Sequence, residues 1–451
     1  MPLTIRPLLC AALIGSPAAL TAQTLDTLAW ADTLRAEMRG RGAPGAAMAV
    51  IHDGRVVWQF ATGLRSVEQQ SAISSATLFR IGSVTKLFTG VLAAAMAQRG
   101  LIDLDAPVSR IAPELSPALG RVTLAELLTH RAGVINLAAQ NGSHDDDAMA
   151  VRIAAWRDDM LFAPRDDIYS YSSPGYWLAG HLLERAGGMA YADLLAARIL
   201  TPLGMQHSTL RPLMAMTREL ALDHVRQGGS VVVQRPFVDD ASTWPSGSLF
   251  ASSHDLSRMA MALLNSGMID DSIVLPPAVV QRATTPNSAP GGGPGGYALG
   301  LAITQRGSHT ALSHYGFRAG SGTVFTLVPG TRTAVIILAN GPGAIMSRTE
   351  AAVFRALLGQ HTAAPTTPTV LTWALDVARY AQGSDTLQVI RRNGNPALVA
   401  RGDTMALSQD GDGDLLARNA QGQVVAGFTP VVGRSSRRYL HDGLSGYGLI
   451  P

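Results

Sequence analysis

Hydrophobic and polar positions change period along this chain, and each change outlines an element. Residues 46–51 and 56–62 are apolar runs separated by His52-Asp53-Gly54-Arg55, and Asp-Gly between two such runs predicts a β-hairpin. A long helix is expected over 83–98, closed by Arg99-Gly100. Helical patterns then alternate with loops, at 124–128, 176–186, 191–200 and 255–265. Strand-like runs return at 297–303, 322–327 and 333–338, the second of them expected at a sheet edge, and a helical pattern at 347–358 follows. Sheet, helical body, sheet is the layout of an α+β domain whose two ends share one antiparallel sheet flanked by helices.

Residues 361–369 are rich in Thr, Pro and Ala, so 361–371 reads as a linker. Beyond it, 372–451 carries short strand candidates at 385–390, 397–400, 415–418 and 424–428 with frequent turns, the pattern of a small all-β domain. At the other end, Arg6, an apolar stretch over 7–20 and small residues over 18–22 have the form of an export signal spanning 1–22. That stretch is too short to span a membrane. Leu9 precedes Cys10 where a lipoprotein site wants a small residue, which argues against a lipid anchor. A mature chain beginning near residue 23 would be periplasmic or secreted, without cysteine or disulfides.

Charged residues make up 15% and apolar ones 47%, ample material for a large core. The net charge is only +3 and the basic residues are scattered, so no nucleic-acid footprint is expected. Of the 36 basic residues, all are arginine except Lys86. The two are interchangeable at most exposed sites, but not where a side chain must lose its proton: guanidinium stays charged, whereas a desolvated ammonium can become a neutral amine. Ser83 lies three residues before Lys86, within reach on a helix's first turn. Val84, Leu87, Phe88, Val91, Leu92 and Ala95 make the helix heavily apolar, and both burial and the helix dipole disfavour an ammonium there. A neutral amine beside a hydroxyl makes an activated serine nucleophile.

The stretch Ser83-Val84-Thr85-Lys86 resembles the Ser-x-x-Lys element of the serine β-lactamase and penicillin-binding protein superfamily. It is most similar to the class C-like branch of cephalosporinases, D-aminopeptidases, DD-carboxypeptidases and esterases. Further blocks in order resemble that branch: Gly45 to Gly54, Leu127-Leu128-Thr129-His130-Arg131-Ala132-Gly133, Tyr169 to Tyr176, Pro202-Leu203-Gly204-Met205 and Asp255-Leu256-Ser257-Arg258. The resemblance implies a β-lactamase/transpeptidase-like fold over 23–360, with a helical subdomain, and a lipocalin-like domain over 372–451.

By the same resemblance, Tyr171 is the proton shuttle between nucleophile and leaving group, with Tyr169 and Tyr176 as rivals. A phenol can act as a base only if cationic neighbours favour the phenolate, and Lys86 and His314 are the candidates. Ser173 stands where the family carries Asn; its shorter hydroxyl cannot span the same two partners. His314-Tyr315-Gly316 resembles the His-x-Gly third element of peptidase and esterase members, since the chain's lysine is already used. Gly316 would let a substrate backbone approach closely, and the N–H groups of Ser83 and Phe317 would form the oxyanion hole. An imidazolium at His314 would make activity change near pH 6.5, while His309 and His130 read as structural.

Other constellations are weaker. There is no Gly-x-Ser-x-Gly, so an α/β-hydrolase elbow has no support. Asp410, Asp412 and Asp414 imitate a calcium loop but lack its Gly and Glu, and read as a hairpin turn. His144 with Asp145 to Asp147 reads as an acidic surface loop, and Gly291 to Gly296 as a loop near the site's mouth. The expectation is therefore an exported serine hydrolase acting through an acyl-enzyme, without metal or organic cofactor. Its substrate would be a D-amino-acid peptide, an ester or a β-lactam. A class C-like β-lactamase, or a penicillin-binding sensor that acylates with little turnover, is the alternative. The oligomeric state is left open.

Overall fold

The computed structural model describes residues 25–139, 141–291, 295–306, 308–318, 320–359 and 371–450. The expected export signal, with Cys10, and most of the expected linker lie outside the described residues.

The expected hairpin forms as β1 (Gly45–His52) and β2 (Arg55–Ser66), followed by β3 (Ser71–Ala72). Four strands from the far end complete the sheet: β4 (Ala302–Arg306), β5 (His309–Arg318), β6 (Ser321–Val328) and β7 (Thr333–Ala339). Their order is β4-β5-β6-β7-β1-β2-β3, with antiparallel pairing of β7 to β1 joining the two ends of the region. This sheet is covered on both faces, which is why β1 is apolar throughout rather than alternating. Ala47, Ala49 and Ile51 face one core; Ala46, Met48 and Val50 face a second, shared with Trp30 and Leu34 of helix α1 (Thr27–Arg41).

Two expectations about these strands change. Residues 297–301 are not strand: Ala298 N–H donates to the Leu301 carbonyl at 2.7 Å, so the backbone folds back on itself and pairing begins only at Ala302. The 322–327 run is not at an edge, because β5 and β7 flank β6 and every residue of β6 is buried. Strand β5 was not expected, and it carries His314, Tyr315 and Gly316.

The helical body begins with a 3-10 turn, Gly82–Val84, leading into α2 (Thr85–Gln98). Eleven residues of α2 are buried, and a helix apolar nearly all round belongs in the centre. Short α3 (Leu124–Leu128) is followed by α4 (Ser173–Gly187), α5 (Ser253–Leu264) and α6 (Ser347–Leu358). Helix α4 starts earlier than its apolar period suggests, because Ser172 Oγ accepts from Gly175 N–H at 3.1 Å and Pro174 suits a first turn. That cap puts Ser173 at the mouth of the helix.

Eight C-terminal strands close into a barrel: β8 (Ala378–Gln382), β9 (Asp385–Arg392), β10 (Asn395–Ala400), β11 (Asp403–Gln409), β12 (Leu415–Arg418), β13 (Val424–Val432), β14 (Arg438–His441) and β15 (Gly446–Ile450). Leu387, Val389, Leu398, Leu415 and Leu440 fill its interior. Asp410 caps the β11–β12 turn by accepting from Asp412 and Asp414 N–H. Among the described residues, no helix is long and apolar enough to cross a membrane.

Candidate active site

Ser83 sits in the 3-10 turn and Lys86 in the first turn of α2. Thr85 Oγ locks the junction, donating to the Gly82 carbonyl at 2.7 Å and accepting from Leu249 N–H at 3.1 Å. Lys86 is 0% exposed. Its Nζ lies 3.4 Å from Ser83 Oγ, 3.4 Å from Ser173 Oγ and 2.8 Å from the Ser246 carbonyl. All three partners are neutral. Burial of an ammonium without a carboxylate partner costs several kcal/mol, so the amine gives up its proton instead. Burial accordingly holds Lys86 well below an ordinary lysine, and the charge of Arg318 pushes the same way.

Tyr171 reaches the same spot from the extended segment before α4. Its ring centroid is 4.8 Å from Lys86 Nζ. Burial raises the phenol, against the opposing pull of the Ser83 and Ser173 hydroxyls beside it. Cationic neighbours therefore do not create a resting phenolate: burial holds the Tyr171 phenol protonated and shifts the Lys86 amine towards its neutral form. The rivals are occupied elsewhere. Tyr176 donates to the Leu128 carbonyl at 2.5 Å, and Tyr169 packs against His130 and His441. His130 supports the tyrosine segment, its Nδ1 accepting from Ser172 N–H at 3.0 Å and its carbonyl from Ser170 N–H at 2.9 Å.

Strand β5 closes the site from the other side. Gly82 has φ +52°, and a Cβ there would lie 2.7 Å from the Phe317 nitrogen; a Cβ on Gly316 would lie 1.9 Å from the Ile81 carbonyl oxygen. Gly316 thus lets the strand approach the nucleophile turn closely. The Phe317 nitrogen is brought against Gly82, the residue before Ser83. His314 is on the same strand, 8% exposed, with Nδ1–H donating to the Tyr315 carbonyl at 2.8 Å. Burial first of all depresses it to about 3, and a protonated Lys86 would push the same way, so the ring is neutral and cannot supply a transition near pH 6.5.

A cleft of roughly 660 Å³ opens over Ser83, Ser173 and Phe317. Arg80, Arg318 and Asn136 line one side; Gln382, Asp385, Arg401, Asp442 and Leu444 of the barrel line the other. His144 is away from it, with Nε2 3.6 Å from Asp239. Gly291 packs against His441 of the barrel, while 292–294 lie outside the described residues.

The family model described as Beta-lactamase matches residues 30–360. The chain belongs to the Beta-lactamase family. Penicillin-binding protein 4 of Amycolatopsis lactamdurans is 28% identical over 73% of this chain and 88% of its own length. A D-aminopeptidase of Gluconobacter oxydans is 28% identical over 66% of this chain and 56% of its own. Among solved structures, SurE with D-Leu superposes with a TM-score of 0.76 at 25% identity, over 94% of this chain and 99% of that one. D-Alanine carboxypeptidase AmpC of Burkholderia cenocepacia, at 23% identity, shares the fold with a TM-score of 0.60 over 74% of this chain and 99% of its own. As a member of this family the chain is a serine hydrolase.

Four contributors to this β-lactamase-family site escaped the sequence. Ser246 supplies only a backbone carbonyl, which no side-chain motif announces. Asn136 accepts from Ser173 N–H at 3.1 Å through Oδ1, next to the position where the family Asn is missing. Arg318 donates to the Gly247 carbonyl at 3.1 Å and to Ser248 Oγ at 2.7 Å, tying β5 to the turn that holds the lysine. The barrel residues lie 299 or more positions beyond Ser83 (382 − 83) and are joined to its cleft by folding.

Proposed function

We propose that this enzyme is an exported hydrolase that forms an acyl-enzyme at Ser83 and releases it with water, acting on D-amino-acid peptides or esters. The observation that carries the reading is Lys86, wholly buried among neutral partners with Nζ 3.4 Å from Ser83 Oγ. As Ser83 attacks the carbonyl, its proton passes to the Lys86 amine. Tyr171, protonated at rest, delivers a proton to the leaving group and is restored from Lys86. The N–H groups of Ser83 and Phe317 receive the oxyanion. Such proton transfers and donor pairs are each worth about 10²–10³-fold in rate.

The substrate class rests on three supports: Ser173 in place of Asn, the His-x-Gly third element, and similarity to a D-aminopeptidase and to a structure of SurE with D-Leu. Export rests on the form of residues 1–22. The penicillin-binding relative keeps a second reading open, a sensor that acylates with little turnover. Intact-mass labelling with a fluorophosphonate and a penicillin, followed over time, separates them. Fluorophosphonate labelling of Ser83 with rapid loss of any penicillin adduct supports the hydrolase; a persistent penicillin adduct supports the sensor. No adduct with either reagent sinks the Ser83 assignment.

A further inference from the structure

The segment carrying Tyr171 is held largely by the barrel. Asp167, 2% exposed, accepts from Ser435 Oγ at 2.9 Å and from Tyr439 OH at 2.5 Å, and Asp166 pairs with Arg434. His441 Nε2–H donates to the Tyr169 carbonyl at 3.2 Å; the same ring's Nδ1 accepts from Gly443 N–H at 3.0 Å, which sets the tautomer. Tyr171 N–H donates to the Leu444 carbonyl at 2.8 Å. Between them, Ser170 Oγ accepts from Gln382 Nε2 at 2.9 Å and from Gly446 N–H at 3.1 Å. Gln382 also donates to the Gly446 carbonyl at 3.1 Å, so it bridges Ser170 and the turn whose Leu444 and Ser445 line the cleft.

We infer that the barrel is a working part of the active site: Gln382 and the 441–446 turn position Tyr171, through Ser170 and the Leu444 carbonyl, for proton transfer at Ser83. The inference rests on the reading of Tyr171 as proton shuttle. Physically, a phenol that moves a proton must be held within a few tenths of an ångström, and displacement of about 1 Å can cost roughly 10²-fold. On the catalytic side, Tyr171 precedes α4 in extended backbone. Across it, buried bonds come from strands β8 and β14 and the β14–β15 turn. Ser170 and Gln382 are both buried; loss of Ser170 removes the acceptor shared by Gln382 and Gly446 N–H, and loss of Gln382 removes one of the two bonds holding Ser170, so either change loosens the segment. Gln382 and Ser170 are therefore positioning residues.

The test uses the full-length enzyme with a p-nitrophenyl ester. Gln382→Ala and Ser170→Ala should each lower kcat about tenfold while KM stays within twofold. Leu398→Ala, in the barrel interior, is the control for general loosening and should keep kcat below its melting temperature. In a Tyr171→Phe background, Gln382→Ala should add almost no further loss, because the residue it positions has lost its proton. A full additional tenfold loss there, or an unchanged kcat in both single variants, overturns the inference. Wild-type kcat in Tyr171→Phe alone would instead overturn the Tyr171 reading, so the two failures are distinguishable.

Discussion

Lys86 Nζ donates to the Ser246 carbonyl at 2.8 Å, and that bond orients the amine within the core. With one N–H spent on a backbone oxygen, the nitrogen's remaining positions face Ser83 and Ser173. The bond satisfies a neutral amine, but cannot by itself stabilise a buried charge.

Lys86→Arg should place a permanent charge in the site and lose acylation, because guanidinium does not deprotonate and is too large for a fully buried site. Fluorophosphonate labelling should slow by at least about 10³-fold. Lys86→Met should be equally inactive. The unfolded chain carries the lysine charged below pH ~10.4, whereas the folded chain holds it neutral at lower pH, so unfolding takes up a proton in that window. Wild-type stability should therefore rise with pH through it relative to Lys86→Met. Urea unfolding of both proteins at pH 7 and pH 9.5 checks the sign.

The pH profile should show one acid limb, that of Lys86: activity is present above its depressed pKa and lost as the amine is protonated on acidification. His314, held to about 3, should leave no inflection near pH 6.5. Arg318→Gln removes a like charge near Lys86, favours its protonated form, and should move the limb to higher pH. A limb unmoved in that variant, from kcat/KM measured between pH 4.5 and 9, counts against Lys86 as the titrating base.

Ser173→Asn should raise turnover of a D-Ala anilide relative to an ester. The longer amide can keep the contact with Lys86 while its second polar atom reaches a substrate amide. Equal changes for both substrates would remove Ser173 from substrate recognition.

Gly316→Ala would drive a methyl to 1.9 Å from the Ile81 carbonyl, which is backbone and cannot swing aside. We expect a loss of about 1–3 kcal/mol in stability and a larger loss of acylation, since β5 must withdraw from the nucleophile turn. Thermal unfolding and labelling rates measure the two separately.

Much of this was determined by the sequence alone, where a local pattern forces a local answer. Ser83 and Lys86 are three apart at a helix start, so their proximity needs no tertiary information. A helix as apolar as α2 had to be central, and that carried Lys86 into burial. The hairpin β1–β2 and helix α6 were legible for the same reason, as periods and turn residues act within a dozen positions. The tertiary structure decided what depends on partners distant in the chain. The extended 309–318 stretch lacked an obvious apolar period, and only pairing with β6 made it strand β5 and set Gly316 against Ile81. Burial among neutral groups, which no composition reveals, left His314 neutral and Tyr171 protonated. The weakly patterned barrel strands, such as Asp403–Gln409, became strands because closure supplied their hydrogen bonds. That closure carried Gln382 and the 441–446 turn to the tyrosine segment 212 to 276 positions earlier in the chain.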